Sequence, residues 1–368
     1  MTATAGLAIN HIVPLHPLTT PGTRRARAAP EVAGSPHTQP EHLITHPGPH
    51  SAGTYGLAES ANWAGVVDTG TTFGGVGGDW TVPLTGSNAG DEYSATWIGL
   101  DGTSAATLIQ TGTTQQVVGG VATYFAWFEL LPSAPEVIQE PVVPGDAIQA
   151  QIIETQLNVW TITISDLTQH WQFQQAFPYT TPGLSAEWIE EAPLVNNVVA
   201  QLADFDAVTF SQIATAAADP GAQVLNPVYL VDGSDIITAY PGDANGSSFS
   251  IFYGEPAPIV ASVTPSEGPT SGGAAVVISG VGFGNATRVE FGGFDAGFEV
   301  VADGTIFATA PADAAPDTVD VTVLNPTGAS LVSTADQFTY VAPAPPPPPA
   351  PPHGYWLVGA DGGIFTFG

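Results

Sequence analysis

Cysteine and lysine are absent from the 368-residue chain, and only four arginines stand against 34 acidic residues. Without cysteine there is no disulfide framework and no thiolate chemistry. Arg24, Arg25 and Arg27 lie near the start and Arg288 far along, so no Lys or Arg occurs between Tyr55 and Glu255. A chain without a basic footprint is a poor partner for nucleic acid or an anionic membrane surface. His170 is the only histidine in that stretch, which argues against a His-ligated metal and against a Ser-His-Asp triad. No apolar run approaches the roughly 20 residues of a membrane span, so no membrane insertion is expected. The early stretch GLAINHIVPL is broken by His and Pro and followed rather than preceded by arginines, which is not the layout of a signal peptide.

The lack of cations also bears on pH. In acid the carboxylates of residues 55–255 take up protons and almost no positive charge is left, so the repulsion that drives acid unfolding is missing. Tolerance of acid is the expectation.

What the chain does contain changes texture several times. Residues 1–54 are rich in Pro, Thr, Ala and His without periodicity and read as a disordered leader or propeptide-like segment. Residues 55–255 carry short apolar–polar alternations punctuated by Gly, Pro and Asn. In Trp160–Ser165 the side chains of Trp160, Ile162 and Ile164 share one face and the hydroxyls share the other, and Ala147–Ile153 and Ala207–Phe210 pattern alike. Many such strands predict an all-β sandwich or barrel. The stretch 194–203 patterns instead as a helix.

Residues 256–341 open with PIVASVTPSEGPTSGGAAVVISGVGFGNATRVEFGG. Ser262-Val263-Thr264-Pro265, Gly268-Pro269, Gly272-Gly273, Phe283-Gly284 and Val289–Gly292 resemble an immunoglobulin-like IPT/TIG domain, which implies a smaller β-sandwich acting as a spacer or interaction module. Residues 342–353 hold APAPPPPPAPP, a polyproline II spacer. Residues 354–368 are similar to one copy of a Gly- and aromatic-rich repeat of bacterial surface and secreted proteins. One copy cannot bury a core. That likeness implies a secreted or cell-surface protein, with a surface or matrix partner for the C-terminal region.

Four segments carry the chemistry: ESANWAG (59–65), ATWIGLDG with LIQTG (95–112), YFAWFE (124–129) and AEWIEE (186–191). Singly, each has a plain reading as core aromatics and solvated carboxylates. In this order they resemble the glutamic peptidases, or eqolisins, acid-acting endopeptidases on a lectin-like, concanavalin-type antiparallel β-sandwich. The resemblance implies a catalytic glutamine at Gln110 and a catalytic glutamate at Glu191, with no cofactor and a protein or peptide substrate. It further implies that Trp97, Asp101 and Glu129, with Trp127 beside the last, line or support the cleft. Thr114 and Leu194 stand where the family carries acidic residues, and the cysteines of fungal members are missing.

The chemistry fits the residue types. A carboxylate can take a proton from attacking water and deliver it to the leaving nitrogen, and a fixed side-chain amide can donate to the oxyanion. Period two puts Glu187, Ile189 and Glu191 on one face of a strand and Ala186, Trp188 and Glu190 on the other. Glu187 therefore either supports Glu191 or is itself the acid. Two other classes fit parts of the pattern: a glycoside hydrolase using Glu129 and Glu191, which leaves the glutamine segment unexplained, and a non-catalytic lectin-like binding module.

Overall fold

The computed structural model describes residues 10–11, 43–45, 58–86, 90–103, 107–196, 198–234, 236–242, 246–313, 315–342 and 355–367. The reading of residues 1–54 as a leader lies almost wholly outside them. Described residues are strands and their connections, with one 3₁₀ turn at Pro220–Ala222 and no α-helix. No helix among them is long and apolar enough to cross a membrane.

Two sheets form the larger sandwich. The first runs Trp171–Pro178, Val159–Asp166, Ala147–Gln156, Phe73–Thr81 and Ala207–Ala217, all antiparallel. The second runs Glu136–Ile138, Val121–Leu130, Ile109–Val118, Glu92–Leu100, Ala186–Glu191, Trp63–Thr69 and Val224–Val231, also antiparallel. The strand Ala207–Ala217 serves both. Its first four residues pair with Phe249–Tyr253 of the second sheet, and from Ser211 it pairs with the first. Gln212, at φ 50°, sits at the crossover.

Alternation in the strands builds the core between the sheets. Ile152, Ile162, Ile164, Val76 and Trp80 meet Ile98, Leu100, Phe128 and Trp188. Trp188 is the deepest tie: its Nε1 donates to Gly77 O at 2.9 Å in the opposite sheet. The glycine-rich strand FGGVGGDW makes room for it, since a Cβ on Gly78 would lie 3.1 Å from the Trp188 ring. One face of Ala186–Glu191 is thereby committed to the interior, and Glu187, Ile189 and Glu191 must face the other way.

Residues 194–203 are not a helix. Leu194–Val195 pairs with Val198–Val199 as a short antiparallel ladder. Valine on both sides favours strand, and Asn196 takes a left-handed φ of 55° that suits asparagine at a turn.

Residues 259–341 form their own pair of small sheets around Phe283, Phe291, Phe338, Ile278 and Val321. Phe291 and Phe338 meet edge to face at 5.1 Å. Near the end of the chain, Tyr355–Val358 pairs with Ile364–Phe367.

Gly65, in the segment ESANWAG, has φ 150°, and a Cβ there would stand 2.1 Å from the carbonyl oxygen of Trp188. Gly65→Ala is expected to destabilise the domain by about 2–4 kcal/mol through forced separation of two central strands. Urea unfolding measures this, and an unchanged midpoint would contradict the packing described.

Candidate active site

Five adjacent strands of the second sheet bring the chemical residues onto one face, opposite the sandwich core. Their register forms three rows across the strands. The first is Trp63, Glu191, Ala95 and Thr114; the second is Gly65, Ile189, Trp97, Gly112 and Trp127; the third is Val67, Glu187, Gly99, Gln110 and Glu129. Trp63, Trp97, Trp127, Ile189 and Leu108 form a separate apolar cluster on this face. Gln110, Glu187 and Glu191 are fully buried and Glu129 is 2% exposed.

Each polar group has a distinct holder. Glu191 accepts at Oε1 from Asn62 Nδ2 (3.2 Å) and at Oε2 from Trp97 Nε1 (2.9 Å). Gln110 donates from Nε2 to Glu129 Oε2 at 2.7 Å. Glu187 accepts from the Gly102 amide at 3.3 Å. Asp101, at φ 67°, accepts from the Gly183 and Leu184 amides and the Thr181 hydroxyl, so it fastens the loop that leads into Ala186–Glu191.

No hydrogen bond joins Gln110 to Glu191 among the described residues. They lie two strands and four residues apart, which on a flat sheet would be about 16 Å between Cα atoms. The indole of Trp97 lies between them. Its Nε1 reaches Glu191, and its far edge lies over Gly99, where a Cβ would come within 2.8 Å of the ring and 3.3 Å of Gln110 Cβ. Gly112 allows this, because a Cβ there would sit 2.5 Å from Trp97 Cβ.

The remaining carboxyl of the segment points inward. Glu190 accepts from Thr96 Oγ1 (2.6 Å) and Gln115 Nε2 (2.9 Å) on the core face. Strand parity anticipates this orientation. The partners Thr96 and Gln115 are not singled out by sequence reasoning, and neither is Asn62, although it sits within the quoted ESANWAG. The one local signal for Asn62 is its place directly before Trp63.

Burial without a cation shifts these carboxyls in one direction. Desolvation pushes Glu129 and Glu187 up to about 8 and Glu190 to about 7, against the partial relief of their hydrogen bonds. Neighbouring Asp101 and Asp68 raise Glu187 further. All three are carboxylic acids in acid solution.

Comparison with known proteins identifies the family of each domain. Residues 61–243 match the model of the Peptidase A4 family, and residues 258–340 match the IPT/TIG domain. The larger domain is a glutamic peptidase of the Peptidase A4 family. Among solved structures, the chain is similar to scytalido-glutamic peptidase crystallised with a transition state analog inhibitor. Identity there is 22%, covering 52% of this chain and 98% of that one, with a TM-score of 0.47. It is also similar to aspergilloglutamic peptidase from Aspergillus niger, at 22% identity over 44% of this chain and 99% of that one, with a TM-score of 0.38. No curated protein matches significantly.

The raised carboxyls give the peptidase domain a pH-dependent stability of definite sign. Between the ordinary glutamate value near 4.5 and the folded values near 7–8, the folded state binds more protons than the unfolded state. Stability is therefore fullest below about pH 4.5 and falls as pH rises towards 8. The loss amounts to several kcal/mol, or roughly 10 °C in Tm for a domain of this size. Thermal unfolding from pH 3 to 8 measures it; a Tm that is flat or rises with pH would overturn the assignment of neutral buried carboxyls.

Proposed function

We propose that this domain is an acid-acting endopeptidase that cleaves peptide bonds with Glu191 and Gln110. The observation that carries the reading is that both are buried on one face of one sheet, with the Trp97 indole lying between them and hydrogen-bonded to Glu191. Water is a poor nucleophile and the tetrahedral intermediate carries an oxyanion, so two different groups are needed. Glu191 takes the proton of the attacking water and then delivers it to the leaving nitrogen, a role worth on the order of 10²–10⁴-fold. Gln110 carries the side-chain amide, and an Nε2 N–H donates to the oxyanion, worth roughly 10²–10³-fold.

The choice of Glu191 over its neighbours rests on the family resemblance, and the surroundings are compatible with it. Burial raises Glu187 and Glu190 to about 8 and 7, which favours their protonated forms in acid. Glu190 also faces the core. Glu191 has both oxygens oriented by N–H donors. Asp101, Trp127 and Glu129 support the arrangement: Asp101 holds the preceding loop, Trp127 extends the aromatic floor and Glu129 lies against the amide.

The same reading takes residues 55–255 as the catalytic unit and residues 256–341 as a spacer or interaction module of a secreted or surface protein. The composition and the resemblance of the tail support it.

Digestion of casein or a peptide at pH 2–7 tests the pair. Glu191→Gln is expected to lower kcat by about 10²–10⁴ and Gln110→Ala by about 10²–10³, with activity of the unaltered chain greatest in acid. Activity that survives in both variants removes the pair from the mechanism.

A further inference from the structure

Gln110 and Glu129 face each other in register on neighbouring strands, and the contact is Nε2 to Oε2 at 2.7 Å. The other end of the amide is left over. Gln110 Oε1 is buried and has no hydrogen-bond partner among the described residues, a condition that costs about 1–3 kcal/mol for a desolvated acceptor. The two ends of a glutamine amide occupy nearly the same space, and its terminal torsion is roughly two-fold. A half-turn therefore exchanges donor for acceptor without repacking the strand.

We propose that Glu129 is a positioning residue that sets which way the Gln110 amide faces. As a carboxylic acid it donates to Gln110 Oε1 and turns Nε2 towards the face shared with Glu191; as a carboxylate it accepts from Nε2 and holds it back. This rests on the reading of Gln110 as the oxyanion donor. The only covalent change is gain or loss of one proton at the Glu129 carboxyl, exchanged with solvent.

The surroundings of Glu129 contain no cation that would hold it ionised. Within the third row, Glu187 lies beyond Gly99. Tyr179, whose hydroxyl is tied to Leu108 and Leu131, feels both Glu129 and Asp101. Glu136 on the adjoining strand is exposed. All of these are acidic or neutral, so the protonated form is the one that persists in acid, and it brings the O–H that Oε1 lacks. In that form both N–H groups of Nε2 are released from Glu129.

Two measurements on the full chain test this. The side-chain amide of Gln110, recognised in a ¹⁵N-labelled sample by its loss in Gln110→Leu, is expected to hold one shift from pH 4 to 6 and to move between pH 6 and 8. The movement is absent in Glu129→Gln. A Gln110 amide that does not move in the unaltered chain overturns the proposal, and this needs no variant of Glu129 to fold. In peptide hydrolysis at pH 4, Glu129→Leu is expected to lower kcat about 10²-fold with little change in KM. Glu129→Gln restores a donor to Oε1 and recovers about tenfold of that loss; a Gln variant as impaired as the Leu variant counts against the proposal. Retained activity in Gln110→Ala would instead remove the catalytic pair itself, whatever the amide resonance does.

Discussion

A carboxyl group buried in a domain that contains no Lys or Arg has two ways to avoid an uncompensated charge: keep its proton, or be surrounded by N–H and O–H donors. Both occur here within a single strand. Glu190 and Glu187 are held neutral by burial, with values near 7 and 8. Glu191 is gripped at both oxygens by Asn62 and Trp97. Three glutamates within five residues thus coexist without mutual repulsion, provided the medium is acid.

The strand can divide its side chains this way because Trp188 fixes its register. Its indole reaches the other sheet at Gly77, and the absence of a side chain at Gly78 admits it. A slip of one residue would send Glu187 and Glu191 into the core and Trp188 outward. Packing in the sandwich interior and the placement of chemical groups on its outer face are two results of the same alternation.

That alternation was legible in the amino acids themselves. Period two alone separated Glu190 from Glu187 and Glu191, and the resemblance of the segments around Trp97, Gln110 and Glu129 implied that they line or support one cleft. Less legible were contacts set by register between distant strands. Asn62 meets Glu191 across 129 positions, and Gln115 meets Glu190 across 75; no local pattern encodes such pairs. Residues 194–203 misled for a different reason: a few apolar residues at helical spacing also fit a hairpin of valines about an asparagine, and propensity at that length is a weak guide.

Stability and chemistry in this domain draw on the same protons. The buried carboxyls Glu129, Glu187 and Glu190 are neutral in acid, where the folded domain is most stable. An enzyme with lysine or arginine partners for those carboxyls would be stable at neutral pH, but each added cation would favour ionisation of its neighbours, Glu129 and Glu187 among them. With the carboxylate of Glu129 restored, the Gln110 amide would be drawn to it and away from the substrate. Lack of cations is therefore more than a surface property: it keeps the carboxyls around the proposed pair in their protonated form.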